Sequence, residues 1–248
     1  MPKFQALAEY AAAIAPIIDA VHINVHATAL RAATALAETS GITPGLLLDL
    51  RFVLPLRPLT RAGLAVIHRY HDPAALEDAV QEHLREGTLT DGDDGLRLTA
   101  RGRAYVHGLY DVHAAATARA WAGRDLHARA GAGRDLPALA ELAGRVLEHA
   151  ERVPGGALEL VAPPYEPDGA SPGVLLFNRL AALRYHRADA HAAAWEAAGL
   201  SAAEIVGLRD GPVRAEVEAA TNLRAGRPYG ALSPAERDAL HDGLLTLI

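Results

Sequence analysis

The chain contains no cysteine among its 248 residues. This absence excludes disulfides, thiolate nucleophiles and cysteine-ligated zinc or iron–sulfur centres in one step. A reducing cytoplasm is the compartment that we expect. The chain also lacks the pattern of a signal peptide and any run of about 18 uncharged apolar residues, so we expect neither export nor a membrane partner.

Lysine and aromatic residues are scarce. Lys3 is the only lysine among 24 basic residues, which leaves 23 arginines, and the formal net charge is −6. This negative balance argues against unspecific coating of nucleic acid, so any DNA contact must be local. Half of the residues are hydrophobic but only 5% are aromatic. Such a core is built from Leu, Val, Ile and Ala between packed helices, and we predict a mostly α fold with a multi-helical body.

A Gly- and Arg-rich segment at residues 123–135 predicts a linker. It divides an N-terminal part, residues 1–122, from an all-helical domain at 136–248. In the first part, Pro16 predicts a break in the apolar segment 4–38. After this segment, the sequence from Thr43 to Leu59 predicts a short buried helix followed by an extended linker. In the second part we expect separate helices at 174–186 and 188–198, followed by capping boxes that open at Ser201 and Ser233.

Residues 59–108 carry the clearest local signals. Thr60 is placed to cap a helix that reaches Tyr70, and Asp72 with Pro73 opens a second helix that ends before Gly87. Two short strands at 88–90 and 96–98 flank an Asp- and Gly-rich turn, and Thr99 caps a long helix that reaches about residue 122. Helix, turn, helix, hairpin, helix is the order of an embedded winged helix-turn-helix module.

Two segments of the chain resemble known families. The runs LREGTL at 84–89 and LRLTARG at 96–102 resemble the wing of MarR-like regulators. This resemblance, over about residues 59–108, implies a winged-helix transcriptional regulator that binds duplex DNA. The runs RYHRADAH at 184–191 and EVEAATN at 216–222 resemble an uncharacterised actinobacterial helix-turn-helix family over about residues 174–248, which implies no known activity.

Arginines near the predicted module are the candidates for DNA contact. We predict that phosphates or bases are contacted by Arg61, Arg69, Arg97, Arg101 and Arg103. Arg51 and Arg57 lie in the same acid-free stretch, 51–71. Carboxylates oppose this role at Asp72, Glu77, Asp78, Glu82 and Glu86 in the second helix, and at Asp91, Asp93 and Asp94 in the turn. The alternative is that the arginines are solvated or pair with the acidic helix.

Twelve histidines make a metal site worth considering. Asp19, His22 and His26 share one helix face by their i, i+3 and i+7 spacing, which suits zinc or a similar divalent ion. A fourth ligand is available from His186, Asp189 or His191. The alternative is that these polar residues lie at the boundary of an apolar stripe.

A second polar cluster predicts a pocket between helices. It consists of Tyr185, His186, Asp189, His191 and Trp195. Helical spacing brings His186 beside Asp189 and His191 beside Trp195, and a carboxylate can orient an imidazole for proton transfer. The alternative is a helix junction in which Asp189 caps a helix or pairs with a neighbouring side chain.

These observations support two main hypotheses. The first is a homodimeric regulator in which a small-molecule effector bound to the helical body controls DNA binding by the winged helix. The second is a protein that does not bind DNA, with the winged helix as a scaffold. In that case the six polar residues Asp19, His22, His26, His186, Asp189 and His191 converge on a metal or small-molecule site. A third hypothesis is a protein-interaction module that uses the acidic face.

Overall fold

The computed structural model describes residues 3–122 and 135–248. The predicted mostly helical fold is confirmed, and strands in the described ranges form one two-stranded antiparallel sheet. The helices are α1 (Leu7–Ser40), α2 (Leu46–Leu50), α3 (Arg61–Ile67), α4 (Pro73–Arg85), α5 (Ala100–Ala120), α6 (Leu136–Glu148), α7 (Ala157–Val161), α8 (Pro172–Ala197), α9 (Ala202–Gly207), α10 (Pro212–Gly226) and α11 (Pro234–Leu245), with a 3-10 turn at Arg227–Ala231. The strands are β1 (Leu89–Gly92) and β2 (Gly95–Leu98).

Helix α1 is continuous, so the predicted break at Pro16 is wrong. Pro16 and Ala12 both lie on the exposed side of the helix, where water satisfies the Ala12 carbonyl that the proline cannot. The opposite side buries Ile14, Ile18 and Val21 in the core. Packing on both sides of the proline therefore outweighs its local cost.

By length and composition alone, α1 is long and apolar enough to cross a membrane, since an 18-residue window has a mean hydropathy of 1.3. In the fold this helix packs against α5, α8, α10 and α11. A third of the window is buried, 33%. Core helices of globular proteins pass the same composition test, so the expected absence of a membrane partner stays a prediction.

Helix α8 spans the two helices that the sequence predicted separately at 174–186 and 188–198, and that division is wrong. After Gly173 the helix contains no glycine or proline, and its many alanines and leucines favour the helical conformation. Ser171 caps its first turn and Pro172 occupies the first helical position. The helix packs against α1, α5, α6, α7 and α10, and so it forms the centre of the body.

Residues 59–108, called the hairpin unit below, contain α3, α4, β1, β2 and the start of α5. The predicted caps are confirmed: the side chains of Thr60, Asp72 and Thr99 accept backbone hydrogen bonds at the starts of α3, α4 and α5. Leu59 adds a bridge to Leu96, with N–O distances of 3.0 and 2.9 Å. The extended chain before α3 therefore lies beside β2.

Gly102 permits a close approach at the start of α5. A Cβ atom at this position would lie 2.1 Å from the carbonyl oxygen of Thr88. Any side chain would push α5 away from the hairpin. The glycine of the LTxxG pattern thus sets how the hairpin packs on the long helix.

Both predicted domains contribute to one contiguous apolar core. It includes Ile14 and Leu109 from the first part together with Leu139 and Phe177 from the second. Helix α1 contacts α8, α10 and α11 across this core. The predicted linker, 123–135, lies outside the described residues apart from Asp135, whose carboxylate caps α6. The capping boxes at Ser201 and Ser233 are confirmed.

Candidate functional site

The segment after α2 carries Arg51 into the core. We expected an extended linker here, but residues 51–56 form consecutive turns, with Val53 N and Leu54 N donating to the Leu50 carbonyl at 3.1 Å. The apolar side chains of Phe52 and Val53 are buried, and Arg51 is buried with them at 1% exposure. The expected short buried helix is α2, but the chain after it turns through residues 51–56 and is extended only near Leu59, and Arg51 lies in the core rather than among the arginines available to DNA.

The Arg51 guanidinium is incompletely paired. Its Nη1 donates to the Leu48 carbonyl, and its Cζ lies 3.9 Å from the ring centre of Phe52 and 5.3 Å from that of Phe177. Within the described part of the chain, Nε and Nη2 have no hydrogen-bond partner although both are buried. Burial lowers the pKa of Arg51, and the cost of desolvating it is offset in part by the cation–π contacts, the Leu48 carbonyl and the attraction of Asp49.

Three histidines surround Phe177 beside this arginine. The His22 ring stacks on Phe177 at 4.8 Å between centres, and His26 and His113 contact the same ring at 5.3 and 5.0 Å. His22 Nε2 and His26 Nε2 are 3.0 Å apart. Burial, reinforced by the charge of Arg51, lowers the pKa of His22 and His113 to about 2 and that of His26 to about 4. All three imidazoles are therefore neutral at pH 7.

A cavity of about 300 Å³ lies next to this cluster and is called the Arg51 cavity. Helices α1 and α8 form one side, and the chain between α3 and α4 forms the other. Its lining residues include Arg51, Phe52, His22, His26, Asp49, His68, Arg69, Tyr70, His71, Arg184, Tyr185 and Ala188. The hairpin unit thus contributes a wall to a polar cavity of the helical body.

The five predicted pocket residues lie around three different cavities. Tyr185 lines the Arg51 cavity, and burial raises its pKa to about 12. His186 and His191 line a neighbouring cavity of about 250 Å³ between α1, α8 and α10, called the α10 cavity. Asp189 and Trp195 line a third cavity near α7. The predicted cluster is therefore not a single site.

Tyr70 links the hairpin unit to α8. Trp195 Nε1 donates to the Tyr70 hydroxyl at 3.2 Å, and that hydroxyl lies 3.1 Å from His191 Nδ1. Because the hydroxyl accepts from the indole, its own proton is free to be donated to His191. Tyr70 also lines both the Arg51 cavity and the α10 cavity, as do Arg184 and Ala188 of α8, so these residues lie between the two cavities.

Asp189 has a structural role, as the helix-junction alternative anticipated, although its partners differ from those expected. Its carboxylate accepts from Ala157 N at 2.9 Å and Leu158 N at 2.8 Å, at the start of α7, and pairs with Arg69. Neither Arg187 nor His186 is its ion-pair partner; Arg187 pairs with Glu218 at 3.1 Å. Asp189 therefore ties α7, α8 and the hairpin unit together.

The predicted metal ligands Asp19, His22 and His26 are not assembled. Asp19 pairs with Arg184 Nε at 2.7 Å, while His22 and His26 face each other. Residues 3–122 and 135–248 contain no group of three or more His, Asp or Glu side chains placed to hold a metal ion. The positive charge of Arg51 beside the histidines also opposes a divalent cation. Of the six polar residues expected to converge, three line the α10 cavity (Asp19, His186 and His191), two line the Arg51 cavity (His22 and His26), and Asp189 lines the cavity near α7.

Each of the five arginines predicted to contact DNA has a partner within the chain. Arg61 pairs with Glu77 at 3.2 Å and with Asp91 at 3.0 Å, whereas Arg69 and Arg97 pair with Asp189 and Asp94. Arg101 donates to the carbonyls of Ser40, Gly41 and Glu86, and Arg103 donates to that of Pro55. The alternative, that the arginines pair with the acidic helix, holds for Arg61, because its partner Glu77 lies in α4.

Sequence patterns did not identify His113, Phe177 or Tyr70 as site residues, and they placed Arg51 among the arginines outside the core. The available signal for Arg51 was its position in the run LRFVLPL at 50–56, where it is the one charged residue, since a lone charge among apolar residues is buried or functional. His113 and Phe177 lie on two helices far apart in sequence, and no spacing rule connects them.

Comparison of the chain with protein-family models, curated proteins and solved structures finds no match. Its function is therefore argued from the geometry of the Arg51 cavity and the hairpin unit.

Proposed function

We propose that the protein binds a small organic molecule in the Arg51 cavity, and that the hairpin unit is a winged helix whose α3–α4 turn senses the ligand. The observation that carries this proposal is the shared lining: His68, Tyr70 and His71 from the turn face the same cavity as Arg51 and Tyr185. A ligand there contacts the body and the hairpin unit together.

The chemistry of the lining supports a binding site. Small-molecule sites are concave, with aromatic walls and a few polar groups that orient the ligand. The residues that line the Arg51 cavity include the aromatic residues Phe52, Tyr70 and Tyr185, and its polar lining residues include Arg51 and the histidines His22, His26, His68 and His71. Its volume of about 300 Å³ suits a ligand with one or two rings.

Binding of prodan, a neutral naphthalene fluorophore, tests this proposal. We expect its fluorescence to rise and shift to the blue with the unchanged protein. Ala188→Phe, which places a ring in the cavity, should abolish the change. Ala197→Phe is the matched control, since Ala197 lies exposed on the same helix. No fluorescence change with the unchanged protein, or equal binding by Ala188→Phe, would overturn the proposal.

A second candidate function is ligand-controlled DNA binding by a homodimer. The order α3, α4, β1, β2, α5 and the bridge between Leu59 and Leu96 favour it, because a winged helix carries its hairpin after the second helix. Pairing of Arg61 and Arg97 with carboxylates weakens the attraction for phosphates.

Duplex binding across a salt series separates the two candidates. A DNA-binding regulator should lose affinity steeply as salt rises, and Arg101→Met should reduce the slope. If the protein shows no duplex binding even at low salt, the winged helix is a scaffold and the small-molecule function stands alone.

A further inference from the structure

We propose that the ligand of the Arg51 cavity is an organic carboxylate, held side-on by the Nε and Nη2 edge of Arg51. This inference rests on the proposed function and deepens it by naming the ligand class.

The unpartnered edge of Arg51 has the geometry of a carboxylate-binding group. Nε–H and the adjacent N–H of Nη2 are parallel donors on one side of a guanidinium, and they match the two oxygens of a carboxylate. These two nitrogens of Arg51 are the ones that no acceptor of the described residues reaches. The third nitrogen, Nη1, is held by the Leu48 carbonyl and fixes the orientation of the group.

Another arginine of this chain, Arg179, already binds a carboxylate through the same edge. Arg179 presents the same edge to Glu166, with Nε–Oε1 and Nη2–Oε2 distances of 2.9 and 3.1 Å. Arg179 satisfies this edge with a carboxylate of its own chain, although it is only partly buried. Arg51 is far more buried, so its need for such a partner is greater.

In residues 3–122 and 135–248, Arg51 differs from the other arginines around the cavity in its lack of an ion-pair partner. Arg69 and Arg184 also line it, and each pairs with a carboxylate, Asp189 and Asp19 respectively. Asp49 attracts Arg51 electrostatically, but among the described residues no carboxylate lies within ion-pair distance of Arg51. The neutral histidines do not compensate its charge. A ligand carboxylate would supply the missing counter-charge.

The other residues that line the Arg51 cavity indicate the shape and polarity of the ligand beyond its carboxylate. The rings of Phe52, His68 and Tyr185 favour a flat apolar body, and the volume of about 300 Å³ limits it to one or two rings with small substituents. Benzoate is therefore the probe, benzamide its neutral counterpart of the same shape, and inorganic phosphate the competing anion.

Thermal unfolding with these probes tests the inference. We expect benzoate to raise the melting temperature of the unchanged protein and of Arg31→Met, a control at an exposed arginine of α1, while benzamide has little effect. Arg51→Met should lose the benzoate response yet melt, without ligand, at the temperature of the unchanged protein or higher, because a buried unpaired charge is removed. Arg51→Lys should weaken benzoate binding at least about tenfold, because an ammonium cannot bind both oxygens side-on.

The prodan assay distinguishes failure of this inference from failure of the proposed function. If Arg51→Met still binds prodan and no longer responds to benzoate, the inference holds. If the unchanged protein binds prodan but responds equally to benzoate and benzamide, or only to phosphate, the carboxylate assignment is wrong and the proposed function remains. If Arg51→Met fails to fold, equal benzoate affinity of Arg51→Lys and the unchanged protein overturns the assignment. Absence of both prodan and benzoate binding overturns both proposals.

Discussion

Arginines in two regions of this protein have opposite surroundings. On the hairpin unit, Arg61 and Arg97 are partly exposed and face carboxylates, and Arg101 donates to three carbonyls. In the body, Arg51 is buried, and two of its nitrogens have no acceptor within the described ranges. Surface pairs are screened by water and contribute little, whereas an uncompensated buried cation is costly. Surface arginines therefore contribute little to stability, and the unpaired edge of buried Arg51 is the feature on which the proposed carboxylate site rests.

Asp189→Asn tests whether a buried arginine needs a counter-charge, and we expect it to lower stability at neutral pH more than the surface substitutions do. Arg69 is mostly buried, and Asp189 supplies its counter-charge while accepting two backbone N–H groups. Removing the charge makes Arg69 resemble Arg51, and we expect the free energy of unfolding to fall by about 3 kcal/mol. Denaturant unfolding measures the change. Asp210→Asn, at an exposed carboxylate, is the control, and equal stability of the two variants would contradict the structural role of Asp189.

The buried histidines predict that the stability of the protein depends on pH. Below pH 6.5 the unfolded chain takes up protons at His22 and His113, whereas the folded protein does so only near pH 2 because burial lowers both pKa values. Stability therefore falls as the pH drops below 6.5, and each histidine contributes about 1.4 kcal/mol per pH unit.

His113→Leu should reduce this slope by the contribution of one histidine. Denaturant unfolding at several pH values between 6.5 and 4 measures it, with His71→Gln, which removes an exposed imidazole, as the matched control. An unchanged slope in His113→Leu would show that His113 takes up its proton in the folded protein.

An arginine-to-methionine substitution on the surface of the protein should have the smallest effect on stability. Arg61→Met removes two ion pairs whose side chains are a third to a half exposed, and we expect the free energy of unfolding to fall by less than about 1 kcal/mol. Arg51→Met is expected to be neutral or stabilising. If Arg61→Met proves the more stabilising of the two, the contrast between the two regions is wrong.

Local signals predicted much of the fold. Thr60, Asp72, Thr99, Ser201 and Ser233 cap the helices at which they were expected, because a cap depends on a few adjacent residues. The hairpin followed from its Asp- and Gly-rich turn.

The site was less predictable. Tyr185 lines the Arg51 cavity as part of the expected pocket, but Asp189 was assigned to the same pocket and instead holds α7 to Arg69. Helical spacing identifies residues on one face, whereas their partners come from segments more than a hundred positions away.

The sequence by itself determined the helical class, the caps and the hairpin, since each depends on neighbouring residues and on hydrophobic periodicity. Only the tertiary structure decided that α1 continues through Pro16, that α8 is one helix and that Arg51 is buried. Each of these outcomes depends on burial between distant helices, and the apolar packing of Phe52, Phe177 and their neighbours outweighs the local preferences of a proline or an arginine.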